Sequence, residues 1–206
     1  MATASSPRRI GAADSSTRAQ LVDAAEALML EEGYASVISR KVAAKAGLKP
    51  QLVHYYFRTM DDLFLEVFRR RADKDLAGFE RAIAKDGSLH NLWRLNSDQR
   101  GAALTMEFVA LADHRKAIRD EVARYAERFR AAQVEAVGAA LCSCGVAEED
   151  FPGIAALLMM TGLTQVIALE KGLGITSGHK ETVAFVERAL DRLEYATDFN
   201  PARTSL

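Results

Sequence analysis

No proline stands between Pro50 and Pro152. About half of the chain is therefore free of the residue that most reliably breaks a helix, and its apolar residues recur at helical spacing rather than alternating. Strand signals are scarce. Asp86-Gly87 is the one hairpin-like dipeptide, and the sequence around it keeps a helical period. An all-α fold is expected. A length of 206 residues with 49% hydrophobic content is enough for one or two buried cores and excludes collagen-like, low-complexity and wholly disordered chains.

From Thr17, the residues Leu21, Ala24, Ala25 and Leu28 fall on one helix face, with Ser15 or Ser16 as N-cap and Gly33 as stop. A short second helix follows Ser39, runs through Val42, Ala43 and Ala46, and ends at Gly47. Pro50 suits the first turn of a third helix, where its missing N–H costs nothing. Asp61 and Asp62 open a longer helix that turns Phe64, Val67 and Phe68 inward. Further helix starts are expected at Ser97, Asp113 and Asp150. The last helix, from about Gly178 to Thr197, repeats Val183, Val186, Leu190 and Leu193 at helical intervals. Residues 1–13 are expected to form a flexible arm and 199–206 a tail.

Two cysteines, Cys142 and Cys144, are too close in sequence to staple distant segments. A reducing, cytoplasmic setting is expected. Arg8 and Arg9 are not followed by an apolar block, so the N-terminus does not read as a secretory signal. Phe151 to Leu169 lacks charge and approaches bilayer-spanning length. Pro152, Gly153, Gln165 and three threonine or glycine positions interrupt it, and a helix buried on most of its faces inside protein is the better reading.

The net charge of −1 hides an uneven distribution. Residues 1–72 carry +3 and residues 73–206 carry −4. Between Ser36 and Arg58 stand Arg40, Lys41, Lys45, Lys49 and Arg58 with no acidic residue, interleaved with His54, Tyr55 and Tyr56. Cations beside hydroxyl and aromatic donors suit a surface that contacts phosphates. By itself the run equally fits a solvated helix face. Two short helices joined by Ala46-Gly47-Leu48-Lys49 favour the first reading, because that arrangement is a helix-turn-helix, whose second helix enters the major groove.

The segment from Thr17 to Arg70 resembles the DNA-binding domain of the TetR (tetracycline-repressor-like) family of bacterial transcriptional regulators. Ala24-Ala25, Gly33-Tyr34, Ala46-Gly47, Tyr56-Phe57, and Asp61 with Leu63 carry the resemblance. It implies an N-terminal three-helix DNA-binding domain over 14–60, a helical effector-binding and dimerisation domain over 61–198, and binding of double-stranded operator DNA as a homodimer. Three positions depart from the family pattern: Lys49 replaces a capping serine, Gln51 a small residue, and Met60 a lysine. Phosphate binding by that lysine is not carried over, and Lys49 and Arg58 are expected to supply the charge.

Position in the motif puts Pro50, Gln51, His54 and Tyr55 on or near the exposed face of the recognition helix. Gln51 is the expected base reader, because its amide pairs bidentately with adenine. Tyr55 or Tyr56 is expected to donate to phosphates, as the resemblance implies, while Leu52, Val53 and Phe57 pack the core. Ser39 and Arg40 open the second helix, where backbone N–H groups favour a phosphate; Ser39 also reads as a plain N-cap.

The resemblance further implies that the helix after Pro152 and the last helix pair with their mates in a four-helix bundle, with Leu158, Val166, Val183, Val186 and Leu190 at the interface. Periodicity alone equally allows intrachain core. A small, lipophilic or aromatic effector is expected in a pocket drawn from Trp93, Met106, Phe108, Tyr125, Phe129, Met159, Met160 and Gln165, each of which also fits ordinary core. His54, His90, His114 and His179 are scattered, and Cys142-Ser-Cys144 has no third ligand nearby. No enzyme activity, cofactor, metal or membrane is expected. The reading is a ligand-released DNA-binding regulator, with a repressor favoured; an all-α carrier for a hydrophobic small molecule is the alternative.

Overall fold

A computed structural model describes the backbone of residues 15–97 and 99–195. The expected arm and tail lie outside the described residues. Among the described residues the chain forms α1 (Ser16–Glu32), a single 3-10 turn (Tyr34–Ser36), α2 (Ser39–Lys45), α3 (Pro50–Tyr56), α4 (Met60–Lys85), α5 (Leu89–Asn96), α6 (Gln99–His114), α7 (Lys116–Ser143), α8 (Gly153–Gly172) and α9 (His179–Tyr195), with no strand.

Local chemistry sets several of these ends. The Ser15 hydroxyl accepts from the Arg18 N–H at 3.1 Å, which satisfies one of the donors a helix start leaves open. Before α4, the Thr59 hydroxyl accepts from the Asp62 N–H at 3.1 Å and the Asp62 carboxylate accepts from the Thr59 N–H at 3.0 Å. This reciprocal capping box fixes the start of the long helix. Ser39 does not act as a cap: it is the first helical residue, and Ile38 holds the cap position without a side-chain bond.

Helix α5 matches none of the helix starts expected from sequence. It starts at a capping Ser88, whose hydroxyl accepts from the Asn91 N–H at 3.1 Å, and Ser97 closes it by donating to the Trp93 carbonyl at 2.9 Å. Ser97 therefore ends one helix rather than starting the next. The later starts likewise shift from Asp113 to Lys116 and from Asp150 to Gly153.

The described residues divide into two compact units, one within 15–74 with 103–125 and the other within 75–102 with 126–195. In the first, Leu21, Ala25 and Leu28 of α1 share a core with Val42, Val53, Phe57, Leu63, Val67, Phe108 and Leu111. Phe68 meets Phe108 and Tyr125 edge-on, with centroids 5.0 and 5.5 Å apart. Ion pairs ring this core: Arg18–Glu66 at 2.5 Å, Arg70–Asp23 at 2.7 Å, Arg69–Glu121 at 2.7 Å, and Arg115 with Asp61. The expected boundary near residue 60 thus falls inside this unit, which takes in α4 to residue 74.

The second unit packs Phe79, Leu92, Trp93, Val137, Leu141, Leu157 and Leu190 together. Gly153 permits a close approach of α8 to α7, since a Cβ there would lie 3.1 Å from the backbone of Gly138.

The guanidinium of Arg18, hydrogen-bonded to Glu66, holds that carboxyl below its ordinary 4.5. A depressed carboxylate pKa adds stability above the unfolded value, which is lost as pH falls through the folded one. Glu66→Gln should therefore lower the unfolding free energy by about 1 kcal/mol at pH 7 and by much less at pH 3, read from urea denaturation at the two pH values. An equal loss at both would contradict the ion-pair assignment.

Candidate nucleic-acid interface

The joint between α2 and α3 is built by Gly47, whose φ of +67° lies in the left-handed region. There the Leu48 N–H turns back to the Ala43 carbonyl at 2.8 Å, closing the end of α2 as a Schellman-type stop does. Pro50 then occupies the first turn of α3. Val53 and Phe57, 1% and 2% exposed, sink into the first unit's core and thereby fix the helix rotation.

The opposite face follows from that burial. Gln51, His54 and Tyr55 fall at helical spacing and all are exposed, as are Lys49 and Pro50 at the start of α3 and Arg58 just beyond its end. Tyr56 is turned partly into the core, edge-on to Tyr55 at 5.0 Å. Its hydroxyl is thus less available than that of Tyr55, which is 45% exposed. Ser39 is half-buried and Arg40 exposed.

The five cations of the basic segment divide into two groups. Lys41 pairs with Glu32 and Lys45 with Glu31, each at 2.6 Å, so α1 draws both back. Hydrogen bonding from Lys41 holds the Glu32 carboxyl below its ordinary value. Arg40, Lys49 and Arg58 have no ion-pair partner among the described residues. Three uncompensated cations, an amide, an imidazole and a phenol on one short surface can contact phosphates and a base edge together.

A further residue gave no sequence signal. The carboxylate of Glu107, on α6, accepts from the Tyr34 N–H at 2.6 Å in the turn between α1 and α2. Its partner lies 73 positions away, so only the fold brings them together.

Residues 21–67 match the family model for bacterial regulatory proteins of the tetR family. The match places a tetR-family segment at residues 21–67 of this chain. It is 27% identical over 150 residues to the HTH-type transcriptional regulator BetI of Rhizobium meliloti (strain 1021), covering 68% of this chain and 73% of the relative. A transcriptional regulator from Streptomyces coelicolor A3(2) superposes with a TM-score of 0.57 at 25% identity, covering 87% of this chain and 99% of that one. A transcriptional regulator from Saccharomonospora viridis in complex with choline gives a TM-score of 0.64 at 19% identity, covering 89% and 96%.

In the second unit, a cavity of about 470 Å³ lies beside α5, α8 and α9. Of the residues expected at a pocket, Trp93 lines it. Met160 packs in the second unit's core and Phe129 against it, while Phe108 and Tyr125 belong to the first unit. Met106 and Met159 are 49% and 60% exposed, and Gln165 is exposed too. Most of these residues belong to core or surface, and the cavity wall combines apolar Trp93, Ile167, Ala168 and Val183 with charged groups such as Arg94 and Lys171.

The residues expected at a dimer interface also separate. Leu158 and Val166 are 49% and 53% exposed on α8, while Val183 and Val186 pack against the second unit's core. Leu190, at 5%, is consumed by that core and offers no surface to a second chain. Among the described residues α8 is the helix long and apolar enough to cross a membrane, and 22% of its apolar window is buried within the chain.

Glu107→Ala should lower the unfolding free energy by about 1.5–3 kcal/mol, the scale of a hydrogen bond to a charged acceptor, as read from chemical denaturation. Glu107→Gln, which keeps an acceptor, should recover part of that loss. Wild-type stability in Glu107→Ala would mean that water replaces the contact.

Proposed function

We propose that this regulator binds a palindromic operator as a homodimer and represses transcription until a small organic effector releases it. The observation that carries the reading is the α3 surface, where burial of Val53 and Phe57 leaves Gln51, His54 and Tyr55 outward beside the uncompensated Lys49 and Arg58. Gln51 reads a base edge. Arg40, Lys49 and Arg58 contact phosphates, with Ser39, Pro50 and Tyr55 in supporting contacts and Tyr56 in the weakest. An operator with two-fold symmetry spaces its half-sites by about one helical turn or a multiple of it.

One helix-turn-helix covers little DNA, and the exposed apolar stripe of α8 supports dimerisation. Ile154, Leu158, Leu163, Val166 and Leu169 stand 37–53% exposed, more apolar surface than a lone soluble chain commonly leaves open. A second copy covers it, with α9 alongside, in the cytoplasm. Effector responsiveness is typical of the family, and choline bound to the neighbour from Saccharomonospora viridis supports a small organic ligand. The effector shifts DNA binding only by its differential affinity for the two conformations. The set expected from sequence, Trp93, Met160 and Phe129 above all, marks the second unit as the place for a lipophilic or aromatic ligand.

An electrophoretic mobility shift with the promoter DNA flanking the protein's own gene tests the reading. A salt-sensitive, sequence-specific shift is expected; an all-α carrier for a hydrophobic molecule, with its basic segment incidental, would give none. Gln51→Ala should lose about 1–3 kcal/mol on the operator but little on random duplex. Lys49→Ala should weaken both and flatten the salt dependence. Equal losses on operator and random DNA for Gln51→Ala would remove its reading role.

The double variant Leu158→Glu/Val166→Glu should sediment as a folded monomer and lose operator binding. A variant that stays dimeric would place the interface elsewhere. Recovery of the wild-type protein in the membrane fraction would instead assign the α8 stripe to lipid.

A further inference from the structure

On the inner face of α8, Ala156, Leu157 and Met160 are buried in the second unit's core. The same helical register continues through Thr164, Ile167, Ala168 and Lys171, and there the core gives way to the cavity of about 470 Å³. Trp93 and Val183 supply further apolar wall. The volume lies in the range of small-molecule sites.

The charged groups around this cavity do not all form ion pairs among the described residues. His90 is taken up by Glu194, at 2.6 Å, and by Asp191, at 3.3 Å. The Asp86 carboxylate accepts from the Ser88 N–H at 2.9 Å, and hydrogen bonding from Ser88 holds it below its ordinary value. Thr164 donates to the Met160 or Thr161 carbonyl. Arg94, Lys171 and Glu187 remain, lining the cavity without an ion-pair partner among the described residues. The lining thus carries two cations, Arg94 and Lys171, and two carboxylates, Asp86 and Glu187, and the Arg94 charge also helps to hold the Asp86 carboxyl down.

Arg94 is also held in place. Its guanidinium donates to the Asn91 side-chain oxygen at 2.7 Å, and Asn91 is only 4% exposed. The Asn91 amide donates in turn to the carbonyls of Asp86, at 2.5 Å, and Ala82, at 3.3 Å. That amide has no freedom to flip, so its oxygen stays aimed at Arg94. A cation fixed by a buried, fully bonded partner is pre-organised to receive an anion, because little ordering remains to be done on binding.

We propose that the cavity binds an amphipathic organic acid, its carboxylate on Arg94 with Lys171 nearby and its aromatic or aliphatic body against Trp93, Ile167, Ala168 and Val183. Any coupling of this site to DNA rests on the regulator reading above; occupancy of the site does not.

Isothermal titration of the full-length protein with three matched probes tests the assignment: 4-phenylbutyrate, its neutral amide and the corresponding primary amine. The carboxylate should bind at least about tenfold more tightly than the amide, a difference of about 1.4 kcal/mol, and the amine most weakly. Arg94→Gln, on the exposed side of the unit, should reduce carboxylate binding to the level of the amide. Ala168→Trp should fill the cavity and abolish binding while circular dichroism still reports the wild-type helix content.

Equal affinity for carboxylate and amide, preference for the amine, or no binding of any probe would each overturn the proposal. So would carboxylate binding that survives both substitutions. Tight, Arg94-dependent binding that leaves the operator mobility shift unchanged would support the site and count against its role as the effector site.

Discussion

Burial of Val53 and Phe57 beneath α3 is the constraint on which the interface depends. Those two side chains meet the core shared by α1, α2 and the first half of α4, and their removal from water sets the rotation of a seven-residue helix that has little stability of its own. Once they are inside, Gln51, His54 and Tyr55 have only the outer face to occupy. The outer face of α3 is thus a consequence of packing: its polar and charged groups sit on one side of the helix because its hydrophobic groups sit on the other.

The same unit sorts its cations by geometry. Lys41 and Lys45 lie within reach of Glu32 and Glu31 on α1, while Arg40, Lys49 and Arg58 point where α1 offers nothing. A linear count of five basic residues overstated the charge facing outward and missed which three remain. The exposed lysine pairs add little stability, and their consequence is to concentrate the unmatched positive charge around α3.

The all-α class, the position of α3 and the turn at Gly47 were legible in the sequence because each rests on local signals: absence of proline, helical period, and a glycine where the backbone must turn left-handed. Helix α5 was not legible, since its eight residues span barely two turns and its capping serine resembles loop sequence. The Glu107–Tyr34 contact had no signal because it joins residues 73 positions apart. Most of the expected pocket residues stand away from this cavity for a different reason. A search for apolar and aromatic residues finds mostly core, and beside Trp93 the cavity holds Arg94, Asn91 and Lys171, whose significance appears only when their partners are known. Leu190 illustrates the same limit, since an amphipathic stripe does not say whether its occupant is the chain itself or a mate.

The central claim is that the α3 surface reads a specific DNA sequence on behalf of a two-fold symmetric dimer. The most direct measurement is selection of bound duplexes from a random-sequence pool by the full-length protein, followed by sequencing. The account predicts enrichment of an inverted repeat whose half-sites lie about one helical turn, or a multiple of it, apart. A pool that stays random, or that enriches only a single unrepeated half-site, would contradict it.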